Sequence, residues 1–316
     1  MFTSWVKRRG EVSPRPPHGF PIAILSFDRP DYLDQVLASL AVQVSEADEI
    51  ILVQDGAYNP LSGKIRGDAS RIEECVALFR RMIPWGQVMQ SPENLGINQN
   101  YERIEQYLFA ERKVEAALIL EDDLVLSPNY LTVIGQLLSF ARDDPRIAYV
   151  SAYGDLWGNS RMQAQYASEL RPMHENWGAA QTRQSWLAER PLRAAWYELV
   201  RGCDYVERNH SAIRSMYASR GWTCRATSQD SVRWLAAVDR GAVRITTALC
   251  HARYIGERGV HCTPEHFQNC NFDKTSMFGG APPELRKPTD EDIGRWLAME
   301  TARFTGSGAP FYPGHP

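Results

Sequence analysis

The chain has 316 residues, 44% of them hydrophobic and 23% charged, which is ordinary for a soluble globular enzyme built as one large domain or two fused halves. Its 35 basic and 38 acidic residues give a net charge of −3, which argues against binding nucleic acid through bulk charge. No apolar run is long enough to span a membrane, and the first residues lack an apolar signal-peptide core. We therefore expect a cytoplasmic protein whose six cysteines are reduced.

Residues 1–20 are basic and then rich in proline, which predicts a flexible lead without packed structure. The basic cluster Lys7-Arg8-Arg9 leaves open a weak peripheral contact with the inner face of the membrane, although three charges are few.

Short apolar runs alternate with amphipathic patterns between residues 21 and 155. This alternation predicts an α/β fold with a mostly parallel sheet that is covered by helices on both faces. Helices are predicted for about three turns from Pro30, over 71–83 and from about 99 to 113. The predicted strands cover residues 21–27, 49–55, 85–90, 116–120 and 146–153.

The second half of the chain has a different composition. Strand signals become sparse, and six of the nine tryptophans lie at positions 157, 177, 186, 196, 222 and 234. We assign 21–155 to a nucleotide-handling half and 156–280 to an acceptor-binding and catalytic-base half. Most of these tryptophans should pack in the core, with one or two stacking on a sugar. The tail, 281–316, should hold one amphipathic helix near 290–302 and a mobile Gly/Pro-rich end.

The strongest functional signal is the triplet Glu121-Asp122-Asp123, which directly follows the apolar run at 116–120. Open α/β sheets bind ligands at the carboxyl ends of their strands, and this triplet is predicted to lie there. A hard divalent cation such as Mn²⁺ or Mg²⁺ would offset the repulsion among three carboxylates and could bridge to a diphosphate. The alternative is a solvated acidic turn.

Two further carboxylates are candidates. Asp55 ends the second predicted strand on the same edge, where it could accept hydrogen bonds from a base or ribose or simply form an Asp-Gly turn. Asp230 lies at the start of a helical stretch, and it could be a general base that takes a proton from an acceptor hydroxyl. Local sequence alone favours the alternative that Asp230 caps this helix.

The segment 250–270 contains three cysteines and three histidines, but their spacing matches no standard zinc pattern. Within it, the glycine-bracketed loop 256–261 carries Arg258 and His261. This loop could close over a diphosphate with His261 as a metal ligand, or it could be an ordinary surface turn.

Taken in chain order, several motifs resemble those of the GT-A glycosyltransferases, and in particular glycosyltransferase family 13, the N-acetylglucosaminyltransferase I type. They are PIAILSFDRP, ILVQDG, ALILEDDLVLSPNYL, DPRIAYVSAYGD, QDSVRWL and IGERGVH, and the likeness runs from about residue 21 to 270. The resemblance implies a GT-A, Rossmann-like sheet with a fused acceptor-binding half. It also implies an inverting, metal-dependent transfer of a sugar from a nucleotide-sugar, with UDP expected, to a hydroxyl of a glycan or glycoconjugate.

The resemblance also implies roles for single residues. Asp123 would bind the metal, Asp122 the ribose and Glu121 the donor sugar. Asp230 falls where the family keeps its general base, which reverses the preference for a cap. His261 would be a second metal ligand. The remaining donor contacts would come from Arg29, Asp55, Asn100, Gln229 and Arg258.

Three positions depart from the family pattern. Asn100 replaces a histidine that helps to hold uracil, Gln229 replaces a tryptophan before the base, and His261 replaces a serine in the phosphate loop. The donor sugar therefore cannot be inferred from the family resemblance, because a shared fold does not determine the substrate. Since the eukaryotic Golgi members carry a membrane anchor and none is predicted here, we expect a soluble enzyme of bacterial-type polysaccharide assembly.

Three other interpretations remain open. A retaining GT-A enzyme would use the same fold with a different stereochemical outcome. A sugar-nucleotidyltransferase would need a glycine-rich phosphate loop after the first strand, which SFDRPDYL lacks. A catalytically inactive carbohydrate-binding module would not need both the acidic triplet and Asp230.

Overall fold

The computed structural model describes residues 18–155, 163–259 and 262–306. The predicted flexible lead before residue 18, the predicted mobile end after residue 306, Trp157 and His261 lie outside the described residues.

The first half of the chain alternates strands and helices as predicted. Its main elements are β1 (Ile22–Ser26), α1 (Pro30–Ala41), β2 (Ile50–Gln54), α2 (Ala69–Met82), β5 (Gln87–Gln90), α3 (Gly96–Glu105), β6 (Ala116–Glu121), α4 (Tyr130–Asp143) and β8 (Ile147–Ser151). The short strands β3 (Tyr58–Asn59) and β4 (Lys64–Ile65) form a hairpin, and β7 (Leu124–Leu126) follows the acidic triplet. A six-residue π-helix, Gln106–Glu111, continues α3 and was not predicted.

The second half contributes both helices and short strands. Its elements are β9 (Leu170–Pro172), β10 (Ala179–Thr182), α5 (Arg183–Val200), α6 (His210–Ala218), α7 (Gln229–Asp239), β11 (Val243–Thr247), β12 (Ala252–Tyr254), α8 (Pro264–Asn269) and α9 (Asp290–Phe304). Helix α9 confirms the amphipathic helix predicted near 290–302. It begins at a capping box in which Thr289 and Asp292 bond each other's backbone N–H groups.

Eight of the described strands form one large sheet in the order β5-β2-β1-β6-β10-β8-β11-β9, while β12 pairs with β7 and β3 with β4. The strands β5, β2, β1 and β6 are mutually parallel, and β8 is parallel to β11. The α/β class with a mostly parallel sheet is therefore confirmed. Strand β10 lies antiparallel between β6 and β8, so residues from both proposed halves build the same sheet. The division of labour between those halves stays a prediction.

Both faces of the sheet are covered. Ile22 and Ile24 of β1 pack in one hydrophobic cluster, whereas Ala23 and Leu25 pack in another. This alternation follows from the two-residue period of a strand, and it explains why β1 and β2 are buried throughout and apolar except at their last residues. The first cluster includes residues of α1, α2 and α4, and the second includes residues of α3 and its π-helical extension.

Most described tryptophans of the second half pack in the core, as expected. Trp186, Trp196 and Trp234 are each at most 3% exposed. Trp177 stacks on Tyr254, with 4.1 Å between ring centroids. No helix within the described ranges is both long enough and apolar enough to cross a bilayer.

Candidate active site

The predicted site residues of the first half lie at the carboxyl edge of the parallel strands. Leu25 is in register with Glu121, and Ser26 is in register with Gln54. The residues that follow β1, β2 and β6 therefore leave the sheet at one edge, where open α/β sheets bind ligands.

Each acid of the triplet has a different environment. Glu121 accepts a hydrogen bond of 3.0 Å from the Tyr101 hydroxyl. Asp122 accepts hydrogen bonds from the Arg29 guanidinium and, at 3.2 Å, from the Phe27 backbone N–H. Asp123 pairs through Oδ2 with Nη1 of Arg29 at 2.8 Å. A solvated acidic turn is excluded, because Asp122 and Asp123 are only 2% and 4% exposed.

Two carboxyl groups of the triplet, those of Glu121 and Asp123, have raised pKa values. Burial raises the pKa of Glu121 well above its usual range, and the charges of Asp123 and Asp230 raise it further. Burial also raises the pKa of Asp123 to about 6, opposed by Arg29 and reinforced by Asp122. A cation that binds here would therefore compete with protons.

The triplet can take a hard divalent cation at one atom in particular. Asp123 Oδ1 is buried and has no hydrogen-bond partner among the described residues. The same part of the chain contains no cluster of three or more His, Cys, Asp or Glu side chains arranged to hold a metal. One carboxylate still fits the chemistry, because Mg²⁺ and similar ions usually bind one or two carboxylates together with waters and substrate phosphates.

Asp230 lies in the first turn of α7 and does not cap it. Ser228 is the N-cap residue, since its hydroxyl accepts the Ser231 backbone N–H at 3.2 Å. The capping alternative for Asp230 is therefore wrong. Its Oδ1 atom accepts hydrogen bonds from Gln229 Nε2 at 2.7 Å and from Asn176 Nδ2 at 3.1 Å.

Asp55 is held by its own loop. Its carboxylate accepts backbone N–H groups of Gly56, Leu95 and Gly96 and the side-chain amide of Asn94, at distances between 2.8 and 3.0 Å. The turn-forming role is thus present in the structure, and a contact with a nucleotide base stays a prediction.

Asn100 and Gln229, two of the three positions that depart from the family pattern, are both buried amides. Asn100 Nδ2 donates to the carbonyl of Gly96 at 3.0 Å. The amide oxygens of both residues have no hydrogen-bond partner within the described ranges. Each therefore keeps an acceptor that a ligand donor could satisfy.

The loop after β12 covers the triplet. Strand β12 pairs with β7, which directly follows Asp123, and the Ile255 backbone N–H donates to the Asp123 carbonyl at 2.9 Å. Arg258 donates its backbone N–H to the Tyr32 hydroxyl at 3.2 Å, which holds the loop on α1. A Cβ atom on Gly256 would lie 2.4 Å from Asp123 Oδ2, so only glycine allows this close approach.

Several neighbours of the site were not predicted. Tyr101 contacts Glu121, and the Arg233 guanidinium lies 3.8 Å from the centroid of the Tyr101 ring. Asn176 contacts Asp230, and burial together with the charge of Asp230 raises the pKa of Glu175 to about 7. The sequence signal for Glu175 and Asn176 is the polar run HEN at 174–176, which lies within a largely buried segment.

The Cys/His segment does not form a zinc site within the described residues. None of the six cysteines, all of which lie in the described ranges, is in a disulfide, and Cys250 and His251 are buried in the core. Burial lowers the pKa of His251 to about 4. Cys270 contacts only one histidine of the segment in the described ranges, His266, at 3.5 Å from its Nε2.

No family model and no curated protein matches this sequence. Among solved structures, S. aureus TarS 1–349 is similar at a TM-score of 0.38 and 12% identity, covering 70% of each chain. A second S. aureus TarS structure gives 0.39 and 11%, covering 70% of this chain and 42% of that one. GalNAc-T7 with UDP, GalNAc and Mn²⁺ gives 0.45 and 11%, covering 92% of this chain and 57% of that one. Similarities this low assign neither a family nor an activity to the chain.

We expect Asp123→Asn to raise the melting temperature at about pH 8 in buffer without divalent cations, by roughly 2–4 °C for each kcal/mol gained. The folded pKa of Asp123, about 6, lies above its ordinary value of 3.8, so ionised Asp123 costs stability as pH rises through this window. The gain should therefore shrink toward about pH 4. Thermal unfolding across this pH range tests it, with the exposed Asp143→Asn as control. A melting temperature at or below wild type at the high pH would contradict the raised pKa.

We expect Gly256→Ala to displace the loop over the triplet, because the new methyl group would overlap Asp123 Oδ2 and the Tyr254 hydroxyl. The free energy of unfolding should fall by about 1–3 kcal/mol. Hydrogen exchange of the amides at 255–259 should become faster. Gly279→Ala is the matched control, since its Cβ would meet no atom within 4 Å. Unchanged exchange in the Gly256 variant would show that the loop adapts without moving.

Proposed function

We propose that this chain is an inverting, metal-dependent GT-A glycosyltransferase. It would transfer a sugar from a nucleotide-sugar, with a UDP-sugar as the expected donor, to a hydroxyl of a glycan or glycoconjugate. One observation carries the proposal: the acidic triplet lies at the carboxyl edge of the sheet, and Arg233, one turn after Asp230 on α7, lies over the ring of Tyr101, whose hydroxyl donates to Glu121. A metal-binding carboxylate and a separate general base are what this transfer requires.

Asp123 is the proposed metal ligand, through its buried Oδ1 atom that lacks a partner among the described residues. A bound Mn²⁺ or Mg²⁺ would stabilise the negative charge that develops on the departing diphosphate. The second proposed ligand, His261, lies outside the described residues.

Asp230 is the proposed general base. Asn176 and Gln229 hold its Oδ1 atom, while its Oδ2 atom makes no hydrogen bond to a described residue. Oδ2 would take the proton of the acceptor hydroxyl as that oxygen forms its bond to the anomeric carbon. The bond from the anomeric carbon to the diphosphate breaks in the same step, which inverts the configuration and passes through an oxocarbenium-like transition state.

The other predicted donor contacts belong to the same proposal. Glu121 would face the donor sugar, where the Tyr101 hydroxyl orients its carboxyl group. Asp122 and Asp55 would bind the ribose and the base, and both would have to exchange a protein hydrogen bond for a ligand bond. The remaining contacts are proposed for Arg29, Asn100, Gln229 and Arg258.

We also propose a cytoplasmic setting in polysaccharide assembly. The residues that would make a peripheral membrane contact, 7–9, lie outside the described ranges, so the structure adds no support for that contact.

We expect at least one UDP-, GDP- or CMP-sugar to raise the melting temperature of the wild-type protein when Mn²⁺ is present, because a ligand that binds the native state stabilises it. Asp123→Ala should lose the Mn²⁺-dependent part of this shift, whereas Asp143→Ala, at the exposed surface, should keep it. No shift with any donor would count against the function itself. An equal shift in Asp123→Ala and wild type would remove Asp123 from the metal site.

We expect Asp230→Asn to lower turnover by about 10²–10⁴-fold while donor affinity stays unchanged, since the amide cannot accept the acceptor proton. The donor is the nucleotide-sugar selected by the thermal-shift screen, and release of its nucleoside diphosphate measures turnover. Near-wild-type turnover would overturn the base assignment. The anomeric configuration of the product, read by NMR, separates inversion from retention.

A further inference from the structure

The guanidinium of Arg29 lies where a metal ion bound by Asp122 and Asp123 would be expected. This group bonds Asp122 and pairs with Asp123, whose side chains are only 3% and 6% exposed. The side chain of Arg29 is itself 25% exposed and lies over the ring of Tyr32. Burial alone would lower the pKa of Arg29, but the charges of Asp122 and Asp123 raise it overall, so the arginine stays charged.

Arg29 supplies all the described ion pairs of these two aspartates. Arg258, on the covering loop, pairs instead with Asp31 at 3.4 Å and is 66% exposed. Arg71 also pairs with Asp31, at 2.7 Å. Among the described residues, a single positive charge, that of Arg29, therefore faces the two carboxylates of the acidic pair.

A divalent cation on Asp123 would have to share that carboxylate with Arg29. Oδ2 of Asp123 already contacts Nη1 of Arg29 at 2.8 Å, while Oδ1 has no described partner. Two cations on one buried carboxylate repel each other strongly, because the surroundings screen charge poorly. Metal binding and the Arg29 pair therefore oppose each other.

We propose that Arg29 is a built-in counter-ion that competes with the divalent metal for Asp122 and Asp123. The acidic pair would then bind a metal ion weakly until a second anion draws the guanidinium away. A cavity of about 290 Å³ is lined by three arginines, Arg29, Arg71 and Arg258, and by two carboxylates, Asp28 and Asp31. Its arginines suit the diphosphate of a nucleotide donor.

The identity of that anion rests on the proposed function, whereas the competition concerns the carboxylates and Arg29 alone. The consequence is coupled binding: a diphosphate that takes Arg29 raises the affinity for the metal, and by linkage the metal raises the affinity for the diphosphate. Such coupling would keep the site from filling with metal before the donor arrives.

Direct measurement of Mn²⁺ binding without nucleotide tests the competition, by the EPR signal of free Mn²⁺ or by calorimetry. Arg29→Gln should bind Mn²⁺ at least about tenfold more tightly than wild type, because it leaves both carboxylates without their cation. Arg112→Gln removes the same charge from an exposed pair with Glu49, away from both aspartates and the cavity, and it should stay within about threefold of wild type. Equal or weaker Mn²⁺ binding in folded Arg29→Gln overturns the proposal.

Two further variants test where the metal binds and replace Arg29→Gln if it does not fold. Adding Asp123→Asn to Arg29→Gln should abolish the gain, and a gain that persists would place the metal elsewhere and overturn the proposal. If Arg29→Gln fails to fold by circular dichroism, Arg29→Lys replaces it, since lysine cannot bond both carboxylates as a fork. That variant should show a smaller gain, and no gain would overturn the proposal. Failure of the proposed function appears separately, as a nucleotide-sugar screen without hits beside an intact Mn²⁺ result.

Discussion

The ion pair between Arg29 and the two aspartates is the interaction on which the rest of the site depends. Burying carboxylates at the end of a strand is costly unless a cation and hydrogen bonds compensate them. Arg29 comes from the segment after β1, and the aspartates follow β6, so the pair joins the ends of two neighbouring strands. The loop that begins at Ile255 lies against the same carboxylates, because Gly256 packs directly on Asp123. A movement of Arg29 would therefore also disturb this loop, because Arg29 donates a hydrogen bond to the carbonyl of Arg258.

A second buried charge network sets the position of the helix that carries Asp230. Glu105 at the end of α3 bonds Arg193 of α5 and, at 2.5 Å, Arg233 of α7. Arg233 lies over the ring of Tyr101, whose hydroxyl donates to Glu121. Removing one partner from such a network would leave an unpaired buried charge, which is strongly destabilising. Arg233 lies one helical turn after Asp230. The network thus fixes α7 beside Tyr101 and, through its hydroxyl, beside Glu121.

The first half of the fold could be predicted because its strands are locally distinct. The runs IAILS, IILVQ and AALIL are apolar on both faces, and the structure places the strands within one or two residues of the predicted bounds. Strand β10 gave no such signal. Its sequence AAQT is short and lacks large apolar residues, yet it lies at the centre of the sheet between β6 and β8. Its place depends on pairing with distant strands rather than on its own composition.

The sequence by itself determined that three acids end a buried strand, that Asp55 ends the second predicted strand and that Asp230 stands at the start of a helix. Local periodicity and chain order are sufficient for these statements. Only the tertiary structure decided that Arg29 pairs with Asp122 and Asp123, that Ser228 rather than Asp230 caps α7, and that the loop 94–96 supplies most of the hydrogen bonds of Asp55. Most of these pairings join segments that are far apart in the chain. Charges and hydrogen-bond donors act through space, so a local pattern shows which groups are present and the packing decides which of them meet.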